Sequence, residues 1–269
     1  YERMAARFPK EREGLKKYVD FLKGVGDHIF DAFKGDESKR HTYTLLSRSA
    51  YEFLNETIQN PLLRKVLSGT SLKMELNAPT LPLYTFAQIN DSFIRSAWRL
   101  RGGGSQIADK LVEGILSMGG EVRTRAAVTY IKEENGKAVG VIVNEEDYLE
   151  ADWIISSVHP SHTISLVKDS KALRNIYRNR IANLDNTFGM FTANIRLKPG
   201  LLPYVNRNIF VHRVDADLWN VNTLKTESVL VNYSVPEPYS STAVNIDLLS
   251  PMSWAEVKKW VDFPVGRRG

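Results

Sequence analysis

The chain contains no cysteine among its 269 residues. Thiolate nucleophiles, Cys-ligated zinc, Cys-bound iron–sulfur clusters and a disulfide framework are therefore excluded. It also lacks any apolar run of the roughly 18 residues that a membrane-spanning helix needs. The opening YERMAARFPKERE has no apolar core of signal-peptide length, so no export is expected and the cytoplasm is the expected compartment. Glycine and proline are too sparse for a collagenous or low-complexity chain, and no internal repeat is visible. Among catalytic and nucleotide motifs, neither a G-x-G-x-x-G turn nor a P-loop nor a G-x-S-x-G nucleophile elbow occurs. A large excess of one charge is missing too. The formal balance is +5, with basic residues scattered among acids as in KEREGLKKYVD. Nucleic acid, which selects a basic stripe interleaved with aromatics, is not an expected partner. Two denser basic spots, Arg95, Arg99 and Arg101, and then Lys171, Arg174, Arg178 and Arg180, read as solvated or phosphate-facing local charge.

What is present is enough apolar residue for one large core or two. Leu15, Tyr18, Val19, Leu22, Val25, Ile29, Phe30 and Phe33 recur at three- and four-residue spacing, which predicts an amphipathic helix over 10–34. Shorter helices are expected at 47–58 and 62–68, separated by Asn60-Pro61. With Tyr84 to Ile94 also apolar, the first 94 residues read as a mostly helical cap. A short strand at 96–100, the glycines at 102–104, and a helix capped by Ser105 and ended by Gly119-Gly120 come next. Asn135-Gly136 between β-branched runs is a strong hairpin signal. Trp153 to Ser157 reads as a further strand, 170–182 as a basic helix, and 187–197, 208–212, 229–235 and 243–248 as strands. A last helix opens at Ser253. The fold class is therefore α+β or α/β.

Candidate chemistry is sparse. Gly102–Gly104 lies just before a helix N-terminus, where an anion would be favoured, but a tight turn needing positive φ also explains it. His159 and His162 have a spacing that could serve a metal, yet Pro160 between them and the want of a third ligand favour a loop. Glu133-Glu134 and Glu145-Glu146 read as solvated surface.

The stretch GGGSQIADKLVEGILSMGGEVRTRAAVTYIKEENGKAVGVIVNEEDYLEADWIISSVHP, Gly102 to Pro160, resembles the central part of the phytoene desaturase, carotenoid isomerase and retinol saturase family of flavoproteins. A Gly-Gly turn opens a helix that ends in Gly-Gly. A strand, a G-K-A-x-G-V hairpin, an acidic strand pair, and an apolar run closing on proline follow in that family's order. The resemblance implies a fragment of a two-domain flavoprotein fold, with 1–94 as helical cap of the substrate region, 95–160 as the second part of the FAD-binding domain, and 161–269 as a β-rich substrate domain. It implies an FAD-dependent oxidoreductase acting on carbon–carbon bonds of polyenes or related lipids, with NAD(P) left open as redox partner and peripheral membrane contact left open as well. Val128 corresponds to the strand position whose backbone meets the adenine of FAD. Ser156, Ser157 and Val158 correspond to a strand end passing close to the dinucleotide. Gly103 and Gly104 correspond to a turn on the flavin side of the substrate cavity.

The family's glycine-rich fingerprint and its closing glycine-containing segment are missing, so the chain reads as an internal piece, inactive alone and prone to self-associate around Gly102–Gly104, Val128 and Ser156–Val158. The alternative reading is a non-catalytic module binding lipid or a partner protein.

Overall fold

The computed structural model describes residues 1–28, 36–72, 74–168, 170–220, 226–236 and 240–263. It divides into two compact units, one formed by residues 1–104 together with 187–269, the other by the intervening 105–186.

The first unit opens with α1 (Glu2–Arg7), α2 (Arg12–Asp27), α3 (Asp36–Leu46), α4 (Ala50–Thr57), α5 (Pro61–Gly69) and α6 (Leu83–Arg95). The expected 10–34 helix is realised as α2; its last stretch, with Ile29, Phe30 and Phe33, lies outside the described residues. Leu15, Tyr18, Leu22 and Val25 form the buried stripe of α2, and they share one core with Phe53 and Leu54 of α4 and Leu83, Phe86 and Ala87 of α6. Burial in that core, with no charge to relieve it, pushes the Tyr18 hydroxyl well above its ordinary range. Ser49 caps α4, accepting from the Glu52 amide, and Asn60 caps α5, accepting from the amides of Leu62 and Leu63. Pro61 thus opens a helix instead of merely separating two, because the first helical position has no amide bond to lose.

Beyond α6, residues 96–100 carry no ladder, although a strand was expected there. The Arg99 guanidinium instead donates to the Tyr233 carbonyl and to Asn208, so the segment is tied by a side chain and not by backbone pairing. Arg95 is bound by Asp91 at 2.5 Å and Asp27 at 2.6 Å. Arg95 and Arg99 of the first basic spot are therefore structural ties.

The same unit holds an antiparallel sheet of β4 (Gly189–Arg196), β5 (Ile209–His212), β6 (Ser228–Tyr233) and β7 (Asn245–Met252), in the order β4-β7-β6-β5. The β4–β7 ladder runs from Gly189 opposite Met252 to Arg196 opposite Asn245. The loop after β5 inserts Ala216, Leu218 and Trp219 into the helical core. Trp219 packs edge-on against Tyr51 and near Phe86, and its Nε1 donates to Ser68 Oγ at 3.1 Å. His212 Nε2 donates to the Gly69 carbonyl at 3.0 Å, which leaves Nδ1 to accept from Ser228 Oγ at 2.8 Å in the neutral ring. Partial burial holds the His212 pKa below its ordinary value, against a smaller opposing effect of the Gly69 carbonyl. Helix α10 (Trp254–Val257) follows β7, with Ser253 and Glu256 in a capping box.

The second unit is α7 (Ser105–Ser117), the meander β1 (Val128–Glu134), β2 (Lys137–Val143) and β3 (Asp147–Glu150), then α8 (Pro160–Leu166) and α9 (Asn175–Ala182). Gly119 at φ +81° ends α7; its amide bonds back to Leu116 and that of Gly120 to Ile115, the paired pattern of a left-handed stop. Asn135 and Gly136, at φ +50° and +80°, make the predicted β1–β2 turn. Ser105 is the first helical residue of α7 and not its cap. Residues 153–157, expected as a strand, have no ladder among the described residues; Trp153 is 90% and Ile155 96% exposed. The expected helix at 170–182 begins only at Asn175, because Ser170 Oγ accepts from the amides of Ala172 and Leu173 and holds a turn there.

Two glycines of α2 should respond to alanine with opposite signs. A Cβ at Gly14 would lie 2.3 Å from the Thr57 carbonyl, so Gly14→Ala should force α2 and α4 apart and cost about 1–3 kcal/mol. A Cβ at exposed Gly24 meets nothing within 4 Å, so Gly24→Ala should gain up to about 1 kcal/mol through helix propensity. Denaturant midpoints of the two variants check the pair; a shift in the same direction for both would refute the close α2–α4 approach.

Candidate functional site

Gly102 and Gly103 sit at φ +84° and +93°, a conformation that requires glycine, and turn the chain toward α7. Gly104 is different. It is outside the left-handed region, and a Cβ on it meets nothing within 4 Å. Neither backbone conformation nor packing within the described chain explains its lack of a side chain. A small group at that point leaves the backbone open to close approach, and the first amides of a helix are free to donate.

Val128 begins β1, opposite Val143, just before an irregularity in the ladder between Val128 and Tyr130. The site is braced by Asn144, whose side chain accepts from the Ala127 amide at 3.0 Å and whose own amide donates to the Ala127 carbonyl at 2.8 Å. Val128 itself is exposed. Ser156, Ser157 and Val158 form an exposed segment, outside any helix or ladder, that leads into α8. Ser156 Oγ shares a hydrogen bond with Thr163 Oγ1 at 2.7 Å, which fixes the segment to the first turns of α8. Helix α8 in turn packs on β1. The structure therefore brings Val128 and Ser156–Val158 into one unit, through α8, while Gly103 and Gly104 belong to the other.

His159, one of the H-x-x-H pair, is the cap of α8: its ring accepts from the Ser161 amide, and Nε2 meets Asn186 Oδ1 at 2.8 Å. No group of three or more potential metal ligands occurs among the described residues. Glu133 has a role that its sequence position hid. It accepts from the Lys171 amide at 3.1 Å, and a hydrogen bond from Ser170, with further help from the Lys171 and Ala172 amides, holds its carboxyl below the usual range. Glu133 anchors the loop before α9, whereas Glu134 pairs with Lys132 at 2.7 Å.

The profile of the flavin containing amine oxidoreductases matches residues 4–219. The chain belongs to that family. It is 30% identical over 172 residues to the all-trans-retinol 13,14-reductase of Danio rerio, covering 55% of this chain and 28% of that protein. A crystal structure of an oxidoreductase from Methanosarcina mazei shares the fold, with a TM-score of 0.56 and 18% identity, over 86% of this chain and 56% of that one. The chain thus spans just over a quarter of the curated relative and somewhat more than half of the solved structure.

Membership makes flavin the cofactor to test against these residues, each unit taken by itself. In the second unit, exposed Val128 and the exposed 156–158 segment are open to the backbone contacts that a neutral ring or a ribose requires; in the first, Gly104 leaves its own backbone open. The pyrophosphate needs a glycine-rich strand-to-helix turn, and the 269 residues contain no such fingerprint. The resemblance read over Gly102–Pro160 and the mixed helix-and-sheet class agree with the family and with its solved relative. No helix among the described residues is long and apolar enough to cross a membrane.

Proposed function

We propose that this chain is the substrate-binding and partial FAD-binding region of an oxidoreductase acting on carbon–carbon bonds of polyenes or related lipids, of carotenoid or retinoid desaturase, saturase or isomerase type. The similarity to a retinol reductase carries this reading, since the name of that protein specifies reduction of a polyene carbon–carbon bond. When bound, FAD supplies the two-electron chemistry, its redox partner, NAD(P) or another, being left open, and the protein supplies binding and orientation. Gly103 and Gly104 would hold the flavin side, Val128 the adenine, and Ser156, Ser157 and Val158 the length of the dinucleotide. The protein would work in the cytoplasm.

Produced within its full reading frame, the protein should be yellow with flavin absorbance. Gly104→Val should leave the thermal stability of the isolated chain unchanged, because the new side chain meets nothing there. In the full-length protein the same change should lower flavin occupancy at least ten-fold, about 1.4 kcal/mol of lost affinity. A folded, colourless full-length protein that takes up no FAD would replace this reading with that of a non-catalytic lipid- or protein-binding module. Unchanged occupancy in Gly104→Val would remove Gly104 alone from the site.

A further inference from the structure

Two departures from regular strand stand on either side of Val128. After it the register slips between Val128 and Tyr130, so Thr129 has no residue opposite; its Oγ1 donates to the Ile142 carbonyl at 3.3 Å. Before it, Arg125 takes φ +56° in a segment with no helix or ladder. That conformation suits glycine, costs an arginine free energy and persists only where neighbours hold it. Asn144 is the brace. Its Nδ2 donates to the Arg125 carbonyl at 3.3 Å, its Oδ1 accepts from the Ala127 amide at 3.0 Å, and its backbone amide donates to the Ala127 carbonyl at 2.8 Å. Asn144 at φ +51° and Glu145 at +69° form the turn from β2 to β3, where asparagine is ordinary. The turn by itself asks nothing of that side chain toward Arg125. Ala127 thus aims both backbone groups at Asn144. Because successive strand residues aim theirs to opposite sides, those of Val128 point away from β2, where the meander has no further strand.

We propose that Asn144 is a positioning residue for the adenine half of FAD. By holding Arg125 left-handed and Ala127 turned toward β2, it sets the backbone of Val128 before the ligand arrives, so less ordering remains to be done on binding. An amide and a carbonyl side by side on one strand residue match the acceptor nitrogen and the amino group that adenine presents next to each other. The proposal rests on the reading above, which puts adenine at Val128. The device acts on a single strand residue, so its effect is confined to the adenine half of the ligand.

The protein, produced within its full reading frame and stripped of flavin, is titrated with FAD and with FMN, which lacks the adenosine monophosphate half. Quenching of flavin fluorescence reads binding, and FAD should bind more tightly than FMN. Asn144→Gly keeps the left-handed turn and removes both side-chain bonds. It should weaken FAD about ten-fold, the scale of one or two net hydrogen bonds, and leave FMN unchanged. Adding Arg125→Gly should recover part of that loss, since glycine takes φ +56° without a brace. Asn144→Asp keeps the acceptor for Ala127 but not the donor to Arg125, and should fall between parent and Asn144→Gly. Circular dichroism confirms folding of each; if Asn144→Gly does not fold, Asn144→Asp decides by the same ratio of FAD to FMN. An equal loss for both flavins would reveal a merely structural brace and overturn the proposal. Undiminished FAD binding, a parent that does not distinguish the flavins, or a double variant no tighter than Asn144→Gly would do the same. A parent that takes up neither flavin overturns the underlying reading, and this inference with it; the other failures, in a parent that binds FAD, overturn this inference alone.

Discussion

Replacing Leu111 and Ile115 by glutamate should convert a self-associating chain into a monomer. Helix α7 has the spacing of an amphipathic helix, yet none of its residues is buried: Ile107, Leu111, Ile115 and Leu116 all stand open to solvent. Trp153 and Ile155 of the same unit are more exposed still. Uncovered apolar stripes and extended segments without a ladder lower their free energy by meeting another copy. We therefore expect the isolated chain to elute from size exclusion with a concentration-dependent mass. Burying a leucine or isoleucine contributes about 1.5–3 kcal/mol each, so losing two should weaken association more than a hundred-fold. Light scattering on the eluted peak gives the answer. A concentration-independent monomer for the parent chain would remove the exposed stripe as a contact; a dimer unmoved by L111E/I115E would relocate it.

The second large effect is expected at Phe86. Its side chain is 0% exposed, and it faces both the stripe of α2 and the ring of Trp219 at 5.9 Å between centroids. Phe86→Ala should cost about 3–5 kcal/mol, the lost transfer energy plus that of an unfilled cavity. Leu62→Ala, at an exposed position of α5, should cost under about 0.5 kcal/mol. Phe86 and Trp219 should also be coupled in a double-mutant cycle, by about 0.5–1.5 kcal/mol for the ring pair. Urea unfolding followed by far-ultraviolet circular dichroism supplies these numbers. If Phe86→Ala unfolds at the same midpoint as Leu62→Ala, the core is not centred where it is described.

Local signals were legible in the sequence because they are set by neighbours a few residues apart. Asn135-Gly136 and Gly119-Gly120 specify left-handed backbone directly, and both turns are found at those residues. The α2 stripe follows from spacing alone. Strands are another matter, since a ladder needs a partner that composition cannot name. Residues 96–100 and 153–157 include β-prone side chains such as Trp98, Trp153, Ile154 and Ile155, but pairing is decided elsewhere. The insertion of Trp219 between Tyr51 and Phe86 joins parts of the chain far apart in sequence and leaves no periodic trace. Helices α1 and α3 were missed because their apolar positions are few. As for the site, Gly103, Gly104, Val128 and Ser156–Val158 came from resemblance, whereas Glu133 and His159 show what spacing misses. A carboxylate that gathers loop amides and an imidazole that caps a helix both look like surface until the chain folds.

The first unit is interrupted, since its halves are separated by the whole of residues 105–186. On the ribosome, α1 to α6 emerge before Trp219 and must wait for it, since it packs against their core. At about 5–20 residues per second, synthesis of the intervening stretch alone takes roughly 4–16 s. The sheet waits longer, because among the described residues β4 pairs with β7 alone, and β7 is made after β5 and β6. During that interval the α2–α6 core lacks a side and β4 lacks its ladder, so a nascent chain stalled before Trp219 is a natural client for chaperones. Once 105–186 has closed on itself it shortens the loop that separates the halves, and the second unit, made in the middle, speeds completion of the one that surrounds it in sequence.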